Sequence, residues 1–132
     1  MAGLQFIEHE GRRVLLLDFT EVSDTAESLR LIARARALVA AQPRRKELLV
    51  ALDVKRMTTN DEVLHAFREL ATHNAPWVLA SAICNPSRLG KVITRAHGVM
   101  TGRTFMIFDD RVKALDWLVA QDAGVFHKAQ PA

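Results

Sequence analysis

Residues 47–71 read ELLVALDVKRMTTNDEVLHAFRELA. The apolar run over residues 48–52 shows no alternation with polar residues, so a strand formed here is expected to be covered on both faces. This is typical of a central strand in a parallel sheet with helices on either side. After a polar loop, Thr59 and Glu62 match a capping box at the start of an amphipathic helix. The stretch therefore predicts a buried strand, a crossover loop and a packed helix.

Two strands precede this unit and are predicted to form a hairpin. Residues 4–8 and 12–19 are rich in apolar side chains and are separated by a short turn. Gly11 lies in that turn, where its lack of a Cβ atom permits a positive φ angle. Because strands joined by a tight turn run antiparallel, we expect one antiparallel edge strand on an otherwise parallel sheet.

The first two helices have predicted caps and predicted buried faces. The first covers residues 25–41, with Ser23 or Asp24 as its N-cap and Pro43 just beyond its end. Helical spacing predicts that its inward-facing residues are Leu29, Ile32, Ala33, Ala37 and Ala40. By the same argument, the inward-facing residues of the second helix are predicted to be Val63, Phe67, Leu70 and Ala71.

The C-terminal half repeats the alternation of strands and helices. Strands are predicted over residues 77–83 and 104–108, and a helix from Pro86 to about Ala96 lies between them. The resulting order is ββαβαβαβα, which predicts one three-layer α/β domain over residues 1–132.

A final helix closes the predicted domain. Asp109 or Asp110 is expected to cap it and Gly124 to end it, and residues 125–132 are expected to form a loose tail. Its inward-facing residues are predicted to be Val112, Leu115, Leu118 and Val119.

Composition excludes several classes of protein. No apolar run approaches the roughly 20 residues that span a bilayer, and the N-terminus lacks the features of a secretory signal. The net charge is only +3 and there is no Tyr, so we expect no nucleic-acid partner. Cys84 is the sole cysteine, which rules out an intramolecular disulfide and favours a cytoplasmic location.

The predicted binding residues follow the buried strands. In α/β sheets, ligands gather beyond the carboxyl ends of the strands. There the chain places Asp53, Lys55, Arg56, Thr58 and Thr59. The helix predicted after Pro86 would add free amide groups from its N-terminus, together with the cations Arg88 and Lys91. These residues predict a site for a small anionic ligand.

Strand-end carboxylates leave an enzyme open as an alternative. Asp18, Asp53 and Asp109 are all predicted at carboxyl ends of strands, where such groups can hold Mg²⁺ or act as an acid–base pair. Helix caps and turns explain them better. The five histidines lack metal-ligand spacing, and no nucleophile-elbow or phosphate-loop motif is present. We therefore predict no catalytic residue, no metal and no cofactor.

Four phrases of the sequence, in their order, resemble the STAS-like domains, specifically the SpoIIAA-like branch grouped with STAS/SEC14 domains. They are FIEHEGRRVLLLDFT, LLVALDV, HNAPWVLASAI and FDDRVKALDWL, and the match covers roughly Leu4 to Val119. The resemblance implies a bacterial regulatory domain that is not an enzyme. It implies binding of a nucleotide, a lipid-like ligand or a partner protein.

The resemblance also implies a phosphorylation site in some members. In the anti-sigma-factor antagonists a Ser or Thr at the start of the helix after the central strand is phosphorylated. Thr58 and Thr59 stand in a similar place, without the glycine and the tight Asp-Ser-Ser spacing of that motif. A phospho-regulated switch is therefore an alternative. Because a sheet edge must be covered or paired, a homodimer is a further candidate assembly.

Overall fold

The protein was analysed as a computed structural model, which describes residues 3–22, 24–57, 60–86 and 105–121. The helix predicted after Pro86 and the tail over residues 125–132 lie outside these ranges, as does the predicted helix end at Gly124. In chain order, the described elements are β1 (Gly3–His9), β2 (Arg12–Asp18), α1 (Thr25–Ala40), β3 (Leu48–Asp53), α2 (Asp61–Asn74), β4 (Val78–Cys84), β5 (Phe105–Phe108) and α3 (Arg111–Val119).

The five strands form one sheet in the order β1-β2-β3-β4-β5. The β1–β2 pair is antiparallel and every other pair is parallel, which confirms the predicted mixed sheet with an antiparallel edge hairpin. Because successive crossovers move across the sheet in the same direction and with the same hand, α1 and α2 lie on the same face. Helix α3 lies on the opposite face and contacts all five strands. The predicted three-layer α/β fold is confirmed.

The hairpin turn consists of two residues with positive φ angles. Glu10 has φ 50° and Gly11 has φ 81°, and His9 pairs with Arg12 across the turn. Two-residue turns of this handedness match the right-handed twist of the flanking strands, so they are favoured in hairpins. The positive φ angle of Gly11 was expected. Glu10 also has a positive φ angle, although its Cβ atom makes this conformation less favourable than it is for glycine.

Two hydrophobic cores sandwich the sheet. The core beneath α1 and α2 contains Phe19, Val39 and Val63, and the Phe19 and Phe67 rings meet edge to face at 5.3 Å. The core beneath α3 contains Leu16 and Leu118 among other buried side chains. Alternate residues of each central strand enter the two cores, which explains why these strands are apolar without interruption.

The predicted buried face of α1 is partly wrong. The buried residues are Ser28, Leu31, Ile32, Ala35 and Val39. Ala33, Ala37 and Ala40 are exposed, and Leu29 is half-buried. Burying the larger Leu31 and Val39 removes more apolar surface from water than burying three alanines, so the helix is rotated towards them. In α2, Val63 and Leu70 are buried as predicted, and Phe67 and Ala71 are half-buried.

Two further details of the helices differ from prediction. Asn60, not Thr59, is the N-cap of α2: its Oδ1 accepts from the Val63 amide at 2.9 Å, so the capping box is wrong by one residue. Asn is as good an N-cap as Thr, and Asn60 also donates to the Thr25 hydroxyl at the start of α1. In α3, Val112 is 57% exposed, while Ala114, Leu115 and Leu118 are buried. Among the described residues, no helix is long and apolar enough to cross a membrane.

Candidate functional site

The carboxyl ends of the strands bring two acidic residues together. Asp18 ends β2 and Asp53 ends β3, and the two are direct partners in the parallel register. The same row continues to Cys84 at the end of β4. The prediction that Asp18 and Asp53 lie at the carboxyl ends of their strands is therefore confirmed, and the strand order makes the two residues neighbours.

A guanidinium group bridges these two carboxylates. Arg111, the first residue of α3, donates from Nε to Asp53 Oδ2 at 2.8 Å, and its Nη2 lies 3.3 Å from Asp18 Oδ2. The Asp53 side chain is 4% exposed and that of Arg111 is 36% exposed. Burial by itself would lower the pKa of Arg111, but the hydrogen bond and negative charge of Asp53 raise it. The cation is thus held permanently at this edge of the sheet.

Asp18 is further stabilised in its ionised form by Thr20. Its Oδ1 accepts from the Thr20 amide at 3.0 Å and from the Thr20 hydroxyl at 2.7 Å. Burial alone would raise the pKa of Asp18, but these hydrogen bonds and the Arg111 charge outweigh burial and hold it below its usual value. Asp18 is consequently a poor proton donor at neutral pH.

Both carboxylate oxygens of Asp53 are occupied. Oδ2 faces Arg111, while Oδ1 accepts from the Lys55 amide and from Asn85 Nδ2, each at 3.2 Å. Asn85 follows β4, takes a φ of 60°, and donates its own amide to the Phe108 carbonyl at 2.8 Å. Asp53 therefore ties together the loops that follow β3 and β4 and the start of α3.

This arrangement disfavours the acid–base and Mg²⁺ hypotheses. A general acid–base pair needs one carboxyl group with a raised pKa, and a Mg²⁺ site needs free carboxylate oxygens. Here Arg111 lies between Asp18 and Asp53, in the position that a metal ion would need. The network is therefore better suited to ordering the surrounding loops than to acid–base catalysis or Mg²⁺ binding.

The predicted binding residues are distributed unevenly around this network. Asp53 is buried beneath the loop, whereas Lys55 and Arg56 are exposed on it, and Arg56 has a φ of 64°. The candidate residues Thr58, Thr59, Arg88 and Lys91 lie outside the described residues.

Sequence reasoning overlooked Arg111. A basic residue in the first turn of a helix interacts unfavourably with the helix dipole, and Arg111 occupies that position. That mismatch was the available signal that Arg111 has a tertiary partner. Asp110, one of the two predicted caps, is the observed N-cap of α3 and accepts from the Val112 amide at 2.8 Å.

Cys84 is a buried, unreactive thiol. It lies at the end of β4, where burial, together with the nearby charge of Asp53, raises the pKa of the thiol to about 12. A thiol is nucleophilic only when ionised, so the structure gives Cys84 a packing role.

Other polar clusters lie away from this edge. His9 Nε2 is 2.7 Å from Asp116 Oδ1, and these two side chains with Glu10 place their donor atoms within 4.8 Å of one another. The His9–Asp116 contact joins β1 to α3, and Arg12 donates to the Val119 and Gln121 carbonyls at the end of that helix. These contacts fasten α3 to the hairpin.

Comparison with known proteins identifies the fold. No family model and no curated protein matches the sequence. Among solved structures, an uncharacterized protein from the DUF3478 family from Shewanella loihica PV-4, described as having a SpoIIAA-like fold, matches with a TM-score of 0.67 and 16% identity. The match covers 89% of this chain and 95% of that one. This chain has a SpoIIAA-like fold. At this identity the comparison establishes the fold alone. In this chain, the Asp18–Arg111–Asp53 network lies at the carboxyl edge of the sheet.

Proposed function

We propose that this chain is a non-enzymatic regulatory domain that binds a ligand or partner protein at the carboxyl edge of its sheet. The observation that carries the proposal is the Arg111 bridge between Asp18 and Asp53. Both carboxylates are paired with Arg111, so neither is free to act as a catalytic group. Asp53 also accepts from the Lys55 amide and so orders the loop that carries Lys55 and Arg56. The SpoIIAA-like fold agrees with this function.

The loop after β3 presents two exposed cations on a fixed base. The Lys55 amide is held by Asp53, and the Met57 amide donates to the Val54 carbonyl at 3.0 Å. Arg56 takes a left-handed conformation that costs about 1 kcal/mol for a residue with a Cβ atom. Such a conformation persists only where the surroundings hold it, and it is enriched at functional sites. An anionic or lipid-like ligand, or an acidic surface on a partner protein or a second copy, would complement this loop.

The test compares charge reversal on this loop with a matched reversal elsewhere. The variant Lys55→Glu/Arg56→Glu and the control Arg45→Glu/Lys46→Glu each replace two exposed cations, and the control pair lies before β3, at the opposite end of that strand. Each protein is purified from its own host and analysed by native mass spectrometry. We expect a ligand or partner on the wild type and the control that is absent from the loop variant. Equal retention by all three proteins would contradict the proposed site.

The same measurement addresses the two alternatives. A covalent phosphate on Thr58 or Thr59 would favour the phospho-regulated switch. For the small enzyme, loss of turnover in Asp53→Asn is informative only if circular dichroism shows a folded variant, because Asp53 is a structural partner of Arg111. A cytoplasmic location is part of the proposal and is supported by the buried, unpaired Cys84.

A further inference from the structure

A groove that is open to solvent runs between α1 and α2 on the outer side of the helical layer. Its volume is about 540 Å³. One side is formed by Arg36 of α1 and the other by five residues of α2, so that the lining consists of Arg36, His65, Arg68, Glu69, Thr72 and His73.

The charges of this groove are unbalanced. Within the described parts of the chain, neither Arg36 nor Arg68 has a carboxylate partner. The one carboxylate of the lining, Glu69, is engaged by His65 Nε2 at 2.7 Å. Two guanidinium groups from different helices and one carboxylate therefore line the same concave surface, which leaves the groove with an excess of positive charge.

One wall of the groove is held rigidly. The His73 ring stacks on Trp77 with centroids 5.2 Å apart, and its Nδ1 lies 2.9 Å from Asn74 Oδ1. Trp77 is anchored in turn, because its Nε1 donates to the Gln42 carbonyl at 3.0 Å. The Thr72 hydroxyl donates to the Arg68 carbonyl at 3.1 Å, which orients it along the groove wall. His73 and Thr72 are thus positioned in advance, whereas the side chains of Arg36 and Arg68 are exposed to solvent.

We propose that this groove binds a phosphate group, carried as a phosphate monoester. Guanidinium groups match the oxygens of a phosphate in geometry as well as charge, and two of them approaching from opposite sides suit a dianion better than a monoanion. The groove is independent of the proposed function. It lies along the later turns of α2, whereas the Lys55–Arg56 loop precedes the first turn of that helix.

The first test is titration with inorganic phosphate and with glycerol 3-phosphate at constant ionic strength, followed by ¹H–¹⁵N NMR. We expect saturable shifts of the α2 amides from His65 to His73. In Arg36→Gln/Arg68→Gln, affinity should fall by about tenfold or more, because two charge-assisted contacts are lost. The matched control Arg30→Gln/Arg34→Gln removes two exposed arginines of α1 that do not line the groove, and it should stay within about twofold of the wild type.

A second test identifies the source of the phosphate. The same three proteins are sedimented with phosphatidylcholine vesicles that contain or lack phosphatidic acid. Binding to the acidic vesicles that depends on Arg36 and Arg68 would support the groove and assign it a lipid headgroup. Binding to glycerol 3-phosphate alone would support the groove and assign it a soluble phosphate.

Two results would overturn the proposal. One is the absence of saturable shifts in the wild type at millimolar phosphate. The other is an equal loss of affinity in the groove variant and the control, which would show that binding follows net charge. Because Lys55 and Arg56 are unchanged in every variant, failure here leaves the carboxyl-edge proposal intact, and failure of that proposal leaves the groove intact.

Discussion

Arg111 and Asp53 join the start of α3 to the end of β3 through a 2.8 Å hydrogen bond between residues 58 positions apart in the chain. The bond fixes the only helix described on its face of the sheet to the edge where the strands end. It also keeps Asp53, whose side chain is 4% exposed, compensated by a positive charge.

Removing Arg111 is expected to destabilise the fold. Arg111→Met leaves Asp53 buried without its cation. Such a change lowers the free energy of unfolding by about 3–5 kcal/mol at a fully buried pair, and we expect a loss of about 2 kcal/mol here because Arg111 is partly exposed. The free energy of unfolding of Arg111→Lys should lie between that of Arg111→Met and that of the wild type. Urea denaturation measures the free energy of unfolding, with Arg34→Met on the exposed side of α1 as the control. A loss no larger than that of the control would contradict the structural role of the bridge.

Acid should weaken the fold through Asp18. The pKa of Asp18 is lowered in the folded state, so its contribution is present above the unfolded-state pKa of about 4 and is lost as the pH falls through the lower folded-state value. Thr20→Val removes the hydroxyl donor but keeps the amide, which raises the folded-state pKa and reduces this contribution. The stability difference between wild type and Thr20→Val should therefore shrink between pH 5 and pH 2 (from about one unit above the ordinary Asp pKa to about two units below it). Urea denaturation across this range measures the difference, and a constant gap would contradict the assignment.

Cys84 should be inert in the native protein. Its thiol is fully buried and its pKa is raised to about 12, so very little thiolate exists near neutral pH. We expect maleimide labelling at pH 8 (about half a unit below the pKa of a free thiol) to be slower by about a hundredfold or more than in denaturant. The exposed thiol of Cys84→Ala/Ala37→Cys serves as the reference for rapid labelling. Labelling of native Cys84 at the reference rate would show that the end of β4 is open.

The Ser28 hydroxyl is expected to be unnecessary for stability. It is 1% exposed and its oxygen has no hydrogen-bond partner in the described structure. Ser28→Ala removes an unsatisfied polar atom and improves helix propensity, which should stabilise the protein by about 0.5–1 kcal/mol. The reverse change on the same buried face, Ala35→Ser, should destabilise it by about 1–2 kcal/mol. A loss of stability in Ser28→Ala, measured by thermal unfolding, would show that the hydroxyl has a partner.

Much of the fold was predictable because it depends on local pattern. The apolar runs at residues 14–17 and 48–52 predicted strands covered on both faces, and each indeed contributes to both cores. Gly11 predicted the hairpin turn, and Asp24 was one of two predicted caps of α1. The rotation of α1 was less predictable, because several faces of an alanine-rich helix are apolar and the choice depends on the neighbouring elements.

The candidate site was predictable only in part. The pattern of strands placed Asp18 and Asp53 at one edge, since parallel strands end together. It did not predict Arg111 as their partner, nor Glu69 as the partner of His65. The contribution of Arg36 from α1 to the groove along α2 depends on how the two helices pack.

The sequence by itself determined the class of fold, the order of the elements and the edge of the sheet where polar residues collect. These follow from the spacing of apolar residues and from the chirality of the chain, which act over a few residues or one crossover. Only the tertiary structure decided that Arg111 bridges Asp18 and Asp53, and that Arg36 and Arg68 line one groove. These residues are 32 to 93 positions apart in the chain. Charge attraction between Arg111 and the two carboxylates matters only after packing has brought them within a few ångströms, because water screens it at larger separations.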